Sequence, residues 1–305
     1  MGRLQATDGS WVHLRARHLV GRSRMCNLRI DARAVSGEHA IVWWQDNAWF
    51  VKDLGSTNGT FVGGRQLDAG EQGALAPGDR VSFGESEGGF LLAEGSAPAA
   101  HAIHADTGVT QLVSDGMLAL PDADLVEVTV FEGVGGTWIC ERDDETLPIF
   151  DLDHVRAGGG RWQLHLPESQ ATTWVAQTDG PTLETATFRF EVSRDEEYVR
   201  LVIEWSGGEI DLGDRAHHYT LLTLARARLE DTESGSDTAE TGWVYHDELM
   251  RMLAADATKV RVDIYRARKQ LLAADVVGAA GVVERRASTK QLRFGGPLFR
   301  VVPLP

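Results

Sequence analysis

Cysteine and long apolar runs are what this 305-residue chain most clearly lacks. Its two cysteines, Cys26 and Cys140, are isolated, which argues against a disulfide framework and against a cysteine-type zinc site. Two such residues are typical of buried thiols in a reducing compartment. No stretch of about 18 apolar residues occurs, and the N-terminal sequence MGRLQATDGSW has no apolar signal region. We therefore expect a cytoplasmic protein without a membrane partner.

Catalytic and metal-binding motifs are also missing. The sequence has no nucleophile elbow, P-loop, G-x-G-x-x-G or metal-ligand set, and its acidic residues lack the spacing of a calcium loop. His101 and His104 lack carboxylate or thiol neighbours, so we expect solvated linker histidines, and packing or helix capping is favoured for His217 and His218. These absences argue against an enzyme and predict no cofactor and no metal.

Charge is distributed unevenly along the chain. The net charge is −15, yet residues 259–305 carry 10 Lys and Arg against 3 Asp and Glu, whereas residues 96–186 carry 3 against 15. A basic end on an acidic chain suggests an electrostatic footprint for nucleic acid. A solvated charged face would have the same composition, so the positions of the charges must decide.

Residues 1–93 have the pattern of an all-β domain. Short alternating apolar runs recur between glycine-rich or Asp/Asn-containing turns, and no run keeps a helical period. The expected strands lie near residues 11–14, 39–43, 49–51, 59–62, 80–83 and 90–92. Many short strands with frequent turns indicate a β-sandwich.

Three polar loops of this sandwich carry groups that suit a phosphate. They read GRSRMCN, SGEHA and DLGSTNGTFVGG. Arg22 can give a charge-assisted hydrogen bond, the Ser36 hydroxyl a second, and Thr57 or backbone amides a third. No base, nucleophile or metal set accompanies them, so these loops are equipped to hold a phosphate and not to cleave it.

The motifs G-R, S-x-x-H and S-T-N-G-T, in this order and spacing, resemble the forkhead-associated (FHA) family over residues 1–93. The resemblance implies a sandwich that binds phosphothreonine peptides through its loops. By position, Arg22 and Ser36 would bind the phosphate with help from Thr57, and Asn58 would hydrogen-bond the peptide backbone.

In the same family pattern, Gly21 and His39 would shape the loops, with His39 bracing its turn from inside and not touching the ligand. One position departs: Gly37 stands where the family often has Arg, Lys or Asn, so one side-chain contact to the phosphopeptide is missing. This loss lowers the affinity or shifts it to backbone amides. The alternative is an FHA fold with an unused phosphate site, serving as a plain docking sandwich.

The middle of the sequence is less informative. Residues 94–108 are small, contain a proline and have no pattern, which is typical of a linker. Residues 109–186 form an acidic, β-rich segment of unknown role, with candidate strands near 126–130, 137–140, 161–166 and 173–175. A loose echo of residues 77–84 in residues 151–158 leaves a degenerate second sandwich open.

Residues 187–305 combine strands and helices. Alternating apolar runs predict hairpins at 188–203 and 281–294, and helical periodicity predicts helices at 215–229, 246–255 and 258–273. A mobile acidic loop is expected at 230–242. The third helix has a core stripe formed by Val260, Ile264, Ala267 and Leu271, and its other faces are largely basic.

This order of sheet, three helices and basic hairpin looks like the winged-helix DNA-binding domain of OmpR/PhoB-type response regulators, with the best local match at VRVDIYRARKQLL, residues 260–272. The resemblance implies that Val262 and Arg266 face bases in the major groove. Contacts to the DNA backbone or neighbouring bases would come from Lys259, Arg261, Tyr265 and Arg268, and contacts to phosphate beside the wing from Arg285, Arg286, Lys290 or Arg293. Arg261, Asp263 and the closing FGGPLFRV depart from the family pattern, so base preference cannot be transferred.

These patterns predict a multidomain chain: an N-terminal all-β FHA sandwich, a linker, a β-rich acidic middle segment and a C-terminal α+β winged helix at 187–305. We expect a bacterial transcriptional regulator that reads phosphothreonine on a partner, or on a second copy of itself, and binds double-stranded DNA. A Hanks-type Ser/Thr kinase or its substrate is the implied phosphorylated partner.

Two further hypotheses remain open. The chain can be a phosphodependent scaffold whose winged helix serves protein contacts or oligomerisation. The acidic middle segment can also fold against the basic end and mask it until a signal intervenes.

Overall fold

The computed structural model describes residues 1–68, 70–133, 136–142, 145–167, 180–235, 240–286 and 288–304. The chain divides into two compact units, Met1–Ala100 and His101–Pro305. Within the described ranges, no helix combines the length and apolarity that crossing a membrane requires.

The N-terminal unit is built from two β-sheets. Its strands are β1 (Arg3–Ala6), β2 (Trp11–His13), β3 (Arg17–Gly21), β4 (Leu28–Arg29), β5 (Ala40–Gln45), β6 (Ala48–Asp53), β7 (Thr60–Val62), β8 (Arg65–Gln66), β9 (Gln72–Leu75), β10 (Arg80–Phe83) and β11 (Phe90–Glu94). One sheet has the strand order β2-β1-β11-β10-β7-β8 and the other β4-β3-β5-β6-β9. The all-β architecture predicted for this end of the chain is confirmed.

The core of this unit follows from the period of two along each strand. Val42 on β5 and Trp49 and Val51 on β6 are fully buried, and so are Val81 on β10 and Leu92 on β11. These side chains come from both sheets and form one apolar cluster. The indole Nε1 of Trp49 donates to the backbone oxygen of Ser96 at 3.1 Å, so its polar atom is satisfied inside the core.

Strand register brings three loops to one end of the second sheet. Val20 of β3 pairs with Ala40 of β5, and Ala40 pairs with Asp53 of β6. The chain therefore leaves β3, enters β5 and leaves β6 at the same end of the sheet. This arrangement places the three polar loops of the sequence next to one another.

The first part of the second unit consists of two four-stranded antiparallel sheets. Its strands are β12 (His101–His104), β13 (Thr110–Leu112), β14 (Met117–Leu120), β15 (Val128–Glu132), β16 (Trp138–Arg142), β17 (Glu145–Pro148), β18 (His154–Ala157) and β19 (Gly160–His165). The strand orders are β13-β12-β19-β18 and β14-β15-β16-β17. The middle segment is thus β-rich, as expected, and the candidate strand near 173–175 lies outside the described residues.

The structure corrects the linker prediction for residues 94–108. Strand β12 lies inside that stretch and pairs with β19, which is distant in sequence. His101 is therefore only 3% exposed and stacks on His165 with ring centroids 4.7 Å apart. His104 accepts hydrogen bonds through Nδ1 from the amides of Asp106 and Thr107. Neither residue is a solvated linker histidine, because non-local pairing supplies a partner strand that local composition does not show.

The rest of the second unit surrounds three helices with strands. The elements are β20 (Thr187–Val192), β21 (Val199–Trp205), β22 (Gly208–Asp214), α1 (His218–Glu233), β23 (Val244–Tyr245), α2 (His246–Met252), α3 (Ala257–Ala273), a 3-10 turn (Ala279–Val282), β24 (Val283–Arg286), β25 (Gln291–Phe294) and β26 (Leu298–Pro303). The sheets have the orders β22-β21-β20-β26 and β23-β25-β24, with β26 parallel to β20. Helix α1 continues into the acidic stretch for which the sequence predicts a loop.

Helix α3 begins at a capped N-terminus and packs into this core. The Asp256 carboxylate accepts from the backbone amide of Lys259 at 2.7 Å, which satisfies one of the free amides of the first turn. The predicted core stripe is buried with residues of α1 and the sheets; its members are Val260, Ile264, Ala267 and Leu271. In the same core, the ring of Phe294 on β25 makes T-shaped contacts with the rings of Phe188 and Phe190 on β20.

Gly21 provides a test of how tightly the loops of the N-terminal unit approach each other. A Cβ at Gly21 would lie 2.3 Å from the backbone oxygen of Gly37, whereas a Cβ at Gly37 would meet no atom within 4 Å. We expect Gly21→Ala to destabilise the unit by about 1–3 kcal/mol because backbone must shift, and Gly37→Ala to be nearly neutral. Hydrogen–deuterium exchange of residues 17–45 in increasing urea measures both, and equal protection in the two variants would contradict the close approach.

Candidate functional site

Asp53 organises the loop that follows β6. Its Oδ1 accepts from the amides of Gly55 and Ser56 at 2.8 and 2.7 Å, and its Oδ2 accepts from the hydroxyls of Ser56 and Thr60, both at 2.7 Å. Burial by itself raises the pKa of Asp53, but these hydrogen bonds to the charged form outweigh it, so the pKa is lowered overall. Gly59 closes the turn with a φ of +85°, in the region that favours glycine. The loop is therefore ordered by its own residues.

His39 ties two of the loops together from inside. Its Nδ1 accepts from the backbone amide of Ser36 at 3.0 Å, so the proton lies on Nε2, which donates to the backbone oxygen of Gly59 at 3.0 Å. The ring is fully buried and packs edge-on against Phe83. The geometry agrees with a structural role for His39.

Polar side chains at the loop tips add two more links. The backbone amide of Thr57 donates to the Ser36 hydroxyl oxygen at 3.1 Å, and Nδ2 of Asn58 donates to the backbone oxygen of Ala34 at 2.8 Å. Because the Ser36 oxygen accepts, its proton can be donated to a ligand. The loops before β5 and after β6 are therefore held at fixed spacing around Ser36.

Arg22 stands at the start of the third loop. Its backbone amide donates to the backbone oxygen of Ser36 at 2.9 Å, which anchors it beside the other two loops. Its side chain is exposed, and among the described residues neither the Arg22 guanidinium nor the Thr57 hydroxyl has a hydrogen-bond partner. The structure thus brings Arg22, Ser36, Thr57 and Asn58 to one end of the sandwich. Together they offer a cation and hydroxyl donors, which can hold an anion with several acceptor oxygens.

Two sheets carrying ordered polar loops at one end define a β-sandwich binding module, and comparison with known proteins identifies its family. Residues 18–84 match the family model of the FHA domain. The N-terminal unit therefore contains an FHA domain, as the sequence motifs predict. The matched region ends well before the helices of the second unit, so it does not bear on the winged-helix interpretation of residues 187–305.

Individual relatives match over short stretches. The chain is 36% identical over 88 residues to a protein phosphatase 1 regulatory inhibitor subunit PPP1R8 homolog of Arabidopsis thaliana, covering 28% of this chain and 24% of that protein. It is 35% identical over 57 residues to protein FraH of Nostoc sp., covering 19% and 20%. The match thus spans about a quarter or less of the length of these curated relatives.

Solved structures similar to this chain include FHA domains. The FHA domain of the CT664 protein from Chlamydia trachomatis is 27% identical, with 30% of this chain and 96% of that chain covered and a TM-score of 0.28. Mycobacterium tuberculosis EmbR in complex with a low affinity phosphopeptide is 23% identical, with 32% and 25% covered and a TM-score of 0.28.

The second candidate site, the basic end of the chain, has a different geometry from the one expected. Val262 and Tyr265 of α3 are 6% and 4% exposed. They pack in a cluster with Met117, Ala119, Val126 and Phe131 of the middle segment. Helix α3 is therefore buried on two faces, one toward its own core and one toward sheet β14-β15-β16-β17.

A buried ionic cluster lies beside this apolar contact. Arg268, 2% exposed, donates to both carboxylate oxygens of Glu141 on β16 at 2.6 and 3.0 Å and to the backbone oxygen of Val283 at 2.8 Å. Arg285 of β24 donates from Nε to the same carboxylate at 3.1 Å. Burial raises the pKa of Glu141, but the two guanidinium groups lower it by a larger amount. The net shift of the pKa is therefore downward, and the carboxylate is charged.

Ion pairs and a hydrogen bond surround that centre. Arg266 meets Asp124 at 3.1 Å, Lys269 meets Asp115 at 3.4 Å, and Nε of Arg261 donates to the backbone oxygen of Val126 at 3.1 Å. Lys259 pairs within the helix with Asp263 at 2.5 Å. Most basic groups of α3 are thus already paired with acceptors of this unit.

Basic residues of the hairpin β24–β25 are also paired with acidic side chains. Arg286 pairs with Glu240 at 2.9 Å and Arg293 with Glu284 at 2.5 Å, and both guanidinium groups lie over the Trp243 ring. Lys290 is exposed in the turn before β25. Of the ten residues predicted to contact DNA, Val262, Tyr265, Arg268 and Arg285 are covered by acidic and apolar residues of the same unit.

Two organising carboxylates were not anticipated from the sequence. Asp53 follows the D-x-x-S pattern in which an aspartate accepts hydrogen bonds from backbone groups two and three residues later, so local turn chemistry could have indicated its role. Glu141 lies in the acidic run ERDDE and has no local signal, since its partners are more than 120 residues away. Cys26 and Cys140 are free and buried, and burial raises the pKa of Cys140 to about 11. No cluster of metal-ligating side chains occurs in the part of the chain that the structure describes.

Replacing Glu141 tests the ionic cluster. We expect Glu141→Gln to destabilise the second unit by roughly 3–5 kcal/mol, because the buried Arg268 guanidinium loses its bidentate carboxylate partner and Arg285 loses a charge-assisted hydrogen bond. Glu145→Gln, on the neighbouring strand and exposed, is the matched control and should change little. Urea unfolding of both variants at pH 7 measures the difference, and equal stabilities would contradict the cluster.

The same cluster has a defined pH dependence. Because the folded-state pKa of Glu141 is lowered, its stabilisation is complete above the unfolded-state pKa of about 4.3 and is lost as the pH falls through the lower folded-state value. The stability difference between the wild type and Glu141→Gln should therefore begin to shrink below about pH 4.3 and disappear only below the folded-state pKa. A difference that grows as the pH is lowered through this range would contradict this assignment.

Proposed function

We propose that this protein is a phosphothreonine-dependent regulator: its FHA domain binds a phosphorylated partner, and its C-terminal part is a winged helix that binds DNA. The observation that carries the first half is the convergence of Arg22, Ser36 and Thr57 on loops that are ordered by internal hydrogen bonds. The implied partner is a Hanks-type Ser/Thr kinase, its substrate, or a second copy of this chain. The role is binding without catalysis, since Arg22, Ser36 and Thr57 offer donors, and the nearby Asp53 and His39 are engaged in the hydrogen bonds that order the loops.

Phosphate recognition follows from the site geometry. The Arg22 guanidinium supplies a planar pair of donors and a full positive charge, and the Ser36 and Thr57 hydroxyls supply neutral donors. The fixed loops support affinity because little conformational entropy is lost on binding. Gly37 contributes no side chain, but its Cα is open to solvent, so ligand backbone can approach it closely.

Asn58 retains capacity for a peptide. One amide hydrogen is used on the Ala34 oxygen, and the side chain still has a second N–H and a carbonyl oxygen. These can pair with the backbone of the residue after a phosphothreonine. Asn58 would therefore both brace its loop and align the ligand.

The Arg22→Ala variant tests the phosphate site. We expect it to abolish binding of a phosphothreonine peptide library without changing stability, because an exposed charge and no core are removed. Arg80→Ala, at an exposed position of β10 outside these loops, should bind as the wild type does. Calorimetry with phosphorylated and unphosphorylated peptides measures this, and undiminished binding by Arg22→Ala would refute the site.

The DNA-binding half is supported by element order and charge. In the described part of residues 187–304, strands β20 to β22 precede three helices and the hairpin β24–β25 follows them, an order that supports a winged helix. Lys259 and Arg266 remain exposed on α3, and Lys290 is exposed at the hairpin turn. Such positions suit contacts with a phosphate backbone.

Binding to genomic fragments tests this half. We expect affinity to fall as salt rises, and Arg266→Ala to weaken specific binding by roughly 1–3 kcal/mol if it contacts a guanine. Gel shifts at two salt concentrations measure both, with Arg251→Ala on the exposed side of α2 as a comparison. An affinity insensitive to salt would contradict a phosphate footprint.

A second function is favoured by one specific observation. The side of α3 that holds Val262 and Tyr265 is covered by the middle segment, so this helix already serves a protein contact. A phosphodependent scaffold, in which both ends bind protein, would use the structure without rearrangement. Loss of genomic-fragment binding in all conditions, with phosphopeptide binding retained, would favour the scaffold.

A further inference from the structure

We propose that sheet β14-β15-β16-β17 is an intramolecular cover for helix α3, and that it competes with a nucleic acid phosphate backbone for the basic residues of that helix. The inference rests on the proposed DNA binding. It assigns to the acidic middle segment the role of an inhibitory partner within the same chain.

The apolar part of the cover is a well-packed contact. Met117 and Ala119 of β14 share one face of the strand and meet Val262 and Tyr265 of α3. Burial of such side chains is worth about 25 cal/mol per Å² removed from water, so a covered helix is favoured over a bare one. In the covered state, residues at the centre of the expected DNA-facing surface cannot reach a groove.

The ionic part resembles the chemistry that DNA would offer. Glu141 presents two oxygens to Arg268 in a bidentate pair and shares one of them with Arg285. A phosphate group of a nucleic acid would be recognised by the same planar donors. Glu141 therefore occupies the guanidinium groups that a phosphate would need, and both cannot be bound at once.

The edge of the cover is weaker than its centre. Asp124 and Asp115 are exposed, and their pairs with Arg266 and Lys269 are open to solvent. Surface pairs of this kind contribute about 0–1 kcal/mol each and are screened by salt. The edge can therefore open first, whereas the centre depends on Glu141.

The test uses the full chain and two independent readouts. Hydrogen–deuterium exchange of residues 257–273 reports opening of the cover, and fluorescence anisotropy with a labelled DNA duplex reports binding. Glu141→Gln should increase exchange in α3 and raise DNA affinity by about 5- to 150-fold, the usual range of allosteric coupling. Glu145→Gln carries the same change in net charge at an exposed position and should change neither readout.

A second variant guards against loss of fold in the first. Asp115→Asn with Asp124→Asn removes only exposed charges, and should raise exchange at the edge of α3 and affinity by a smaller factor. Asp106→Asn with Glu145→Gln is its charge-matched control, since both of these residues are exposed elsewhere in the unit. Circular dichroism confirms that each variant is folded.

The possible results separate the two claims. Unchanged α3 exchange in folded Glu141→Gln would overturn the cover, and increased exchange with the affinity of the wild type would overturn the competition. Increased exchange without DNA binding by any variant at low salt would instead overturn the proposed DNA binding, and with it the competition. Increased exchange together with tighter binding supports the proposal.

Discussion

One carboxylate on strand β16 holds the second unit in its observed arrangement. Glu141 forms ion pairs with both Arg268 and Arg285, which come from a helix and a hairpin far away in sequence. Without it, the Arg268 guanidinium would be buried without this bidentate partner, and an unpaired buried charge costs several kcal/mol. The apolar contact of Val262 and Tyr265 alone would not fix the register of the helix on the sheet, whereas a bidentate pair does.

The N-terminal unit is organised by the same principle at a smaller scale. Asp53 orders a loop by accepting four hydrogen bonds, and His39 links that loop to the one that carries Ser36. In both units, buried or half-buried polar side chains order their surroundings through hydrogen bonds. Asp53 and His39 order the loops beside Arg22, and Glu141 holds Arg268 in place. The difference is that the loops of the FHA domain leave Arg22 available, whereas the sheet of the middle segment occupies Arg268.

Local sequence patterns were sufficient to predict the FHA domain and the three helices. The motifs around Arg22, Ser36 and Thr57 are contiguous, and the apolar period of α3 identifies Val260 and Ile264 as core residues. Strands β1, β3 and β9 escape prediction because their few apolar residues are interrupted by charged or small ones. The second buried face of α3 also escapes it, since a helix period cannot show that a sheet more than 120 residues earlier packs on Tyr265 and pairs with Arg268.

The ion pairs at the edge of α3 have a consequence for salt dependence. Added salt weakens contacts between this helix and DNA phosphates, and it equally weakens the pairs of Arg266 with Asp124 and of Lys269 with Asp115. These effects oppose each other, because loosening the internal pairs makes the same cations available. In a chain that binds DNA through α3, the slope of log affinity against log salt concentration would therefore be shallower than the number of contacted phosphates predicts. Removing the internal carboxylates would make this slope steeper.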